Sequence, residues 1–381
     1  MTSSRISYHV HATFLVDRTR LREHVAAIRP HFLLVSGNPV DVATELQQAS
    51  PETNVIWREG GDALVWQQKS PEDWLNERSA QAPGMMLYTS DETPLGNNQA
   101  TDWHLRVMEL AAERGIQLCV MNIAAGVPNP DDWGNARAII DMLNAHRDLF
   151  VMGLREFAGG VITSGVDGGD PTMIQPDQWP TDVSNRQLWH MGRYRNLMGY
   201  CKNENIQTPR LVVTHHGMEY MADIGNWMNS LAVTPPFDSV RGWQSLAHQW
   251  MSEVWFGGDE PQFESAQIAY AEQLKWANNV LYEPFGAVEA QMIYAWGSAG
   301  QAENSLDVSQ AFDFQKNIEA YALTQPDYTG YIGSLNNEAI AALSGKDRRV
   351  ITRGFQRALD AEFLDQNTAA ALKRWIGILG G

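Results

Sequence analysis

Cysteine is nearly absent. The two present, Cys119 and Cys201, are too few for a disulfide framework or a cysteine-rich metal site. No apolar run approaches the length of a membrane span, so no membrane is expected as a partner. The opening residues, Met1 to Ile6, lack the apolar core of a signal peptide, so a cytoplasmic protein is expected, with release by lysis or another route left open. Positive charge is scarce as well. Against 45 Asp and Glu stand 28 Lys and Arg, a formal net charge of -17, which argues against nucleic acid or an anionic membrane surface as the main partner. Repeats and low-complexity tracts are missing, and nothing in the pattern calls for a cofactor.

What the chain does have is apolar residues, 44% of 381, enough for a sizeable core, and the length suggests one large domain with a small appendage, or two domains. Fourteen Trp is a high count, and such rings pack cores but also stack on the apolar faces of sugars. Short apolar runs read as strands at 6–12, 32–36, 54–58, 85–89, 118–123, 150–157, 211–214 and 288–296. Between them lie helical patterns at 20–29, 40–49, 101–114, 133–146, 185–203 and 265–278, where apolar residues recur every three or four positions. Eight strands alternating with helices predict an α/β fold, a (β/α)8 TIM barrel over residues 1–300; a doubly wound open sheet is the structural rival. Long strand-to-helix loops at 91–100, 158–184 and 218–247 suit a cleft at one end of the barrel. Residues 301–334 read as a connecting helix and joint. Residues 335–381 read as a small helical extension, basic between Lys346 and Arg357, which packs on the barrel or mediates homo-oligomer contacts.

Four places carry groups able to do chemistry. The fourth strand delivers Asp91 and Glu92 at its carboxyl end, where a barrel enzyme keeps its reactive groups. Desolvation beside Pro94, Tyr88 and Trp103 would raise the Glu92 pKa toward that of a general acid; a solvated acid capping the next helix is the alternative. On the sixth strand Leu154 and Glu156 share one face and Arg155 and Phe157 the other, so Glu156 is either a site acid or the ion-pair partner of Arg58 or Arg155. The seventh strand ends in His215 and His216, pointing to opposite faces, followed by Gly217 and Glu219; imidazole there is an acid, a base, a ligand or a buried structural group. On the first strand His9 and His11 share a face and could bind a metal, but the eighth strand offers no carboxylate to complete the site.

In order and spacing these motifs resemble the (β/α)8 glycoside hydrolase superfamily of retaining enzymes, particularly bacterial barrel proteins with a Leu-His-Glu-Tyr motif. Asp91-Glu92-Thr93-Pro94 is similar to the Asn-Glu-Pro-like motif that carries the acid/base, which implies that role for Glu92. Leu154 to Phe157 corresponds to Leu-His-Glu-Tyr, Gly192 to Arg195 keeps a Gly-Arg-Tyr-Arg element, and Ile293 to Gly297 is similar to a last strand whose Trp lines the sugar site, here Trp296. The resemblance covers roughly residues 6–300. It departs at the nucleophile: where the family has Thr-Glu-x-Gly-x-Asp this chain has Thr214, His215, His216, Gly217, Met218 and Glu219. An imidazole does not stabilise an oxocarbenium ion as a carboxylate does, so retaining hydrolysis through His215 is not expected. The resemblance therefore implies a carbohydrate partner. Glu92 is the expected proton donor, Glu156 or Glu219 the second carboxylate, and Arg58, Tyr88, Asp91, Trp103, His216 and Trp296 the sugar contacts, with His215 in the catalytic set. The alternatives are a catalytically inactive glycan-binding barrel and a metal-dependent hydrolase using His9 and His11.

Overall fold

Eight parallel strands close on themselves in chain order, β1 Ile6–His11, β2 Phe32–Ser36, β3 Asn54–Arg58, β4 Met86–Tyr88, β5 Leu118–Ile123, β6 Phe150–Ala158, β7 Leu211–Met218 and β8 Val288–Trp296. The computed structural model describes residues 4–15, 17–37, 40–59, 64–91, 93–124, 130–158, 192, 194–218, 266–282, 288–297, 308–309 and 311–324. The last strand pairs with the first, Ile6 against Gln291 and His9 against Tyr294, so the sheet has no edge and the open-sheet rival is excluded.

Side-chain alternation sorts each strand into two layers. Phe32, Leu34, Ile56, Met86, Tyr88, Cys119, Val151, Val212, Ala290 and Met292 fill the barrel interior. Their sequence neighbours, among them Leu33, Val35, Val55, Leu87, Val120 and Met152, face outward and join Leu21, Val25, Trp74, Val107, Ile139, Leu197 and Leu274 of the surrounding helices. Because both faces are covered, the strands read as continuous apolar runs. Each fully buried large aliphatic or aromatic side chain stabilises the fold by roughly 1.5–3 kcal/mol.

The helices begin and end where their caps dictate. Helix α1, Arg18–Ile28, starts at Asp17, whose carboxylate accepts from Arg20 N at 2.9 Å, and α2 spans Asp41–Ala49. Between β3 and β4 the short α3, Val65–Gln68, precedes α4, Pro71–Gln81, which the apolar pattern misses because its buried face rests on Trp74, Leu75 and Arg78. Ser70 caps α4 through Asp73 N, and Pro71 takes the first helical position. Helix α5, Asn98–Arg114, is capped by Asn97 and stopped by Gly115 in the left-handed conformation at φ 67°. The segment expected as one helix at 133–146 opens as a 3-10 turn, Pro130–Ala136, before α6, Arg137–Ala145. Helices α7, Tyr194–Asn203, and α8, Ala266–Trp276, follow β6 and β7.

The last described helix, α9, Phe312–Thr324, packs between α1 and α8 and completes the outer ring after β8. Arg20 Nε donates to Gln315 Oε1 at 2.8 Å, and His24 Nδ1 lies 2.6 Å from Glu319 Oε1. It therefore stands in the barrel's own helical layer. The expected helical extension at 335–381 and its association role lie outside the described residues. Among the described residues no helix is long and apolar enough to cross a membrane.

Candidate functional site

Strands gather polar side chains at their carboxyl ends, on the face that lower down carries the inner core. Following Leu34 and Ile56 by two residues, Ser36 and Arg58 stand at the mouth; β4 contributes Tyr88 and, just beyond its end, Asp91. Arg155 continues the inward line of Val151 and Gly153 on β6, and His9 and His11 come from β1. A register shift between β6 and β7 sets His215 opposite Arg155, and Tyr294 of β8 pairs with His9.

Ser36 ties the two histidines of β1, its Oγ lying 2.8 Å from His9 Nε2 and 3.2 Å from His11 Nδ1. Their rings stack at 4.6 Å and 13° between planes. His215 meets His9 edge-on at 4.5 Å. Tyr294 lies against all three, 4.9 Å from His9, 5.1 Å from His11 and 4.8 Å from His215 between ring centroids. On the other side of the mouth Arg58 pairs with Asp91 and lies 5.3 Å from the centre of the Tyr88 ring, while Tyr88 Oη donates to Asp91 Oδ1 at 2.5 Å.

The electrostatics follow from burial. His9 and His215 are pushed well below the ordinary imidazole pKa, first by desolvation and then by neighbouring groups, His11, Arg58 and Arg155 for His9, and Arg155, His9, Arg58 and His11 for His215. Both are neutral at pH 7 and act as hydrogen-bonding rings. Tyr88 is pushed well above the usual phenol value by burial and by the Asp91 carboxylate, and so keeps its proton for the bond to Asp91.

No family model matches the sequence, and no curated protein does. Solved structures do. The β-glucuronidase of Ruminococcus gnavus, in complex with a C6-substituted uronic isofagomine, is 11% identical at a TM-score of 0.43, covering 83% of this chain and 50% of its own. That of Dictyoglomus thermophilum is 12% identical at 0.46, covering 84% and 50%. The Faecalibacterium prausnitzii β-glucuronidase is 10% identical at 0.45, covering 84% and 49%. The chain thus spans about half the length of these structures. The (β/α)8 fold hosts many chemistries, and likeness at these scores adds nothing about substrate.

Several sequence-predicted site residues turn away from the mouth. Glu156 is buried on the outward face of β6: Oε1 accepts from Tyr194 N at 3.0 Å, and Oε2 from Gly192 N at 2.8 Å and from Tyr282 Oη at 2.9 Å. The carboxylate holds the amino end of α7, and neither expected ion pair forms: Arg58 binds Asp91, and Arg155 points to the opposite face of the strand. Burial raises the Glu156 pKa, opposed by its three donors and Arg195. His216 also faces outward, its Nδ1 at 3.1 Å from Tyr282 Oη, with burial lowering its pKa to about 3. Trp296 packs against Tyr8 at 5.3 Å and His24 at 5.1 Å in the helical layer. Trp103 is buried on α5, where its Nε1 donates to Lys69 O at 2.8 Å. The structure places these four at the strand–helix interface: alternation along β6 turns Glu156 outward, register shifts in β7 and β8 turn His216 and Trp296 out, and Trp103 lies on the buried face of α5.

Arg58, Tyr88, Asp91 and His215 are brought together at the mouth. Glu92 and Glu219 lie outside the described residues. Ser36 and Tyr294 were missed, although inward parity with Leu34 and Met292 was a signal for each. Among the described residues no group of three or more His, Cys, Asp or Glu could hold a metal ion. His9 and His11 stack face to face, and one nitrogen of each, His9 Nε2 and His11 Nδ1, turns to Ser36 Oγ.

Proposed function

We propose that the protein is glycoside hydrolase-like and binds a carbohydrate at the carboxyl-end mouth of the barrel. One observation carries the reading. Seven strands deliver hydrogen-bonding side chains to a single rim, where Tyr88, Tyr294 and three imidazoles supply flat faces beside Arg58, Asp91, Arg155 and Ser36. Sugars are held by that mixture of ring faces and directed polar groups. Glu92, one residue beyond Asp91 in the chain, is the proposed proton donor, and Glu219 the proposed second carboxylate. Hydrolysis of a panel of aryl glycosides and oligosaccharides by the wild type and by Glu92→Gln tests this. A drop of about a hundredfold or more is expected for loss of a general acid. Equal rates above background would remove Glu92 from the mechanism.

A specific observation favours a non-catalytic variant of the same reading. Among the described residues the mouth holds one carboxylate, Asp91, already engaged by Arg58 and Tyr88, and His215 occupies the seventh-strand position. A retaining pair needs carboxyl groups about 5–5.5 Å apart. Calorimetry showing glycan binding, with no turnover across the panel, is the outcome that selects this variant.

A further inference from the structure

Among the described residues, Met121 and Asn122 are the one pair of consecutive non-glycine residues at positive φ, 75° and 37°. They fall within β5, where three steps from Val120 to Ile123 stand against two from Met152 to Leu154 on β6. That is a bulge of one extra residue. Asn tolerates the left-handed region through its short polar side chain, and Met has no such compensation. Strain of this kind persists where the surroundings over-determine it, and it gathers at functional sites.

Here the surroundings are the tip of β4. Strict alternation from Cys119 would turn Asn122 outward; the bulge brings it instead to Cys119 and Gly153 on the inner face. Asn122 is fully buried, and its Nδ2 donates to Ser90 O at 3.1 Å and to Cys119 O at 3.4 Å, while its Oδ1 accepts from Cys119 Sγ at 3.4 Å. Gly153 leaves the room for this, since a Cβ there would collide with Oδ1 and Cγ of Asn122. Met121 O accepts from Thr93 N at 3.3 Å. Both bonds to β4 lie beyond the β4–β5 pairs, which end at Tyr88 with Cys119. The two strained residues thus grip the chain at Ser90 and at Thr93. Between those grips stand Asp91, which meets Tyr88 and Arg58 at the mouth, and Glu92. We propose that Asn122 is the positioning residue of this tip: its amide, with the Met121 carbonyl, fixes the Asp91–Glu92 segment for its work at the mouth. The inference rests on the reading above of Glu92 as proton donor and Asp91 as sugar contact.

Asn122→Gly tests it, because glycine keeps the positive φ without strain while the bond to Ser90 is lost. Gly153→Ala disturbs the same side chain from β6, and Val212→Ala, in the inner core, controls for lost stability. In Asn122→Gly the Thr93 amide is expected to exchange its hydrogen about tenfold faster or more, while β2 and β7 keep wild-type protection. On the aryl glycoside panel kcat is expected to fall about tenfold to a hundredfold, as misplacing a reacting group by about 1 Å does, and by more than KM rises. Adding Glu92→Gln should cost little further, since both changes act through one group. Gly153→Ala should reproduce the fall and Val212→Ala should leave kcat unchanged. Wild-type kcat or wild-type exchange in Asn122→Gly, a fall that adds in full to that of Glu92→Gln, or an equal fall in Val212→Ala overturns the inference and leaves the carbohydrate reading standing. Where the wild type binds glycan without turnover, Asn122→Gly is expected to weaken affinity about tenfold through Asp91, and unchanged affinity overturns the inference alone. A wild type that neither binds nor cleaves any member of the panel overturns the carbohydrate reading and this role with it.

Discussion

Replacing Glu156 by Gln separates a structural carboxylate from a catalytic one. In the wild type three donors converge on two oxygens, Tyr194 N on Oε1, and Gly192 N and Tyr282 Oη on Oε2. An amide has a single acceptor oxygen. If that oxygen keeps Gly192 and Tyr282, the new NH2 group faces the Tyr194 N–H, and a buried donor left without an acceptor costs about 1–3 kcal/mol. The negative charge at the amino end of α7 is lost as well, worth roughly 0.3–1 kcal/mol and more where partly buried. Relief of the buried charge offsets part of this, so a net loss of about 2 kcal/mol is expected. With a urea m-value of about 3 kcal/mol/M, the unfolding midpoint falls by roughly 0.7 M. The pH arm has a definite sign. Burial raises Glu156 in the folded chain above its ordinary value of 4.5. Its contribution is therefore complete below that value and is lost as pH rises through the folded pKa. The gap between wild type and Glu156→Gln should be widest in acid and narrow toward neutrality, with the histidines cancelling because both proteins share them. A variant that unfolds at the wild-type midpoint while losing glycoside turnover would refute the argument and return Glu156 to the catalytic set.

Acid should destabilise the wild type for an independent reason. His9, His24, His104, His215 and His216 all have lowered pKa values, with burial as the first cause. Neutral imidazoles stabilise the fold above their unfolded value near 6.5, and that contribution is lost as pH falls below it, at up to about 1.4 kcal/mol per pH unit for each group. Urea midpoints should drop steeply between pH 7 and pH 5; a flat profile would show that the rings are solvated. At Gly217, φ is +125° and an added Cβ would meet Tyr270 Oη at 2.2 Å. Gly217→Ala is therefore expected to cost more than about 2 kcal/mol, while Gly199→Ala on α7, with nothing within 4 Å, is expected to be neutral or stabilising in the same thermal melts. Trp296→Phe should lower the melting temperature and leave glycan affinity unchanged, whereas Tyr294→Leu should weaken affinity about tenfold in calorimetry. The reverse pattern would restore Trp296 to the site.

The strands were legible because each is buried on both faces. The runs read at 32–36, 54–58, 118–123 and 288–296 are the observed β2, β3, β5 and β8. Helix α4 was not, since a Ser70 cap and Pro71 start it while two apolar side chains, Trp74 and Leu75, anchor it. The candidate site was half legible. Its location at the strand ends and the presence of Tyr88 and Asp91 there follow from the chain; Glu156 and His216 stood open between site and structural roles, and the sugar-contact roles of Trp103, His216 and Trp296 came with the motif resemblance, which carries no information about which face a side chain takes.

That missing information resides in two irregularities of the sheet. Strict alternation from Val212 would turn Thr214 and His216 into the barrel, and from Met292 it would turn in both Tyr294 and Trp296. Instead the β6–β7 register shifts after Leu154, pairing Arg155 with His215 and Glu156 with His216. The β1–β8 register shifts after His9, pairing His9 with Tyr294 but Val10 with Trp296. Each shift exchanges one residue for another at the rim: His215 goes in and His216 out, Tyr294 stays in and Trp296 leaves. One extra residue in a strand is enough to do this, and barrel rims are where such bulges re-aim side chains. The two shifts fall on either side of His9, so the imidazole and phenol cluster exists because of them. With unbroken alternation the mouth would hold His216 and Trp296 in place of His215, and the partners that now seat those two, Tyr282 for His216 and Tyr8 with His24 for Trp296, would lose their contacts.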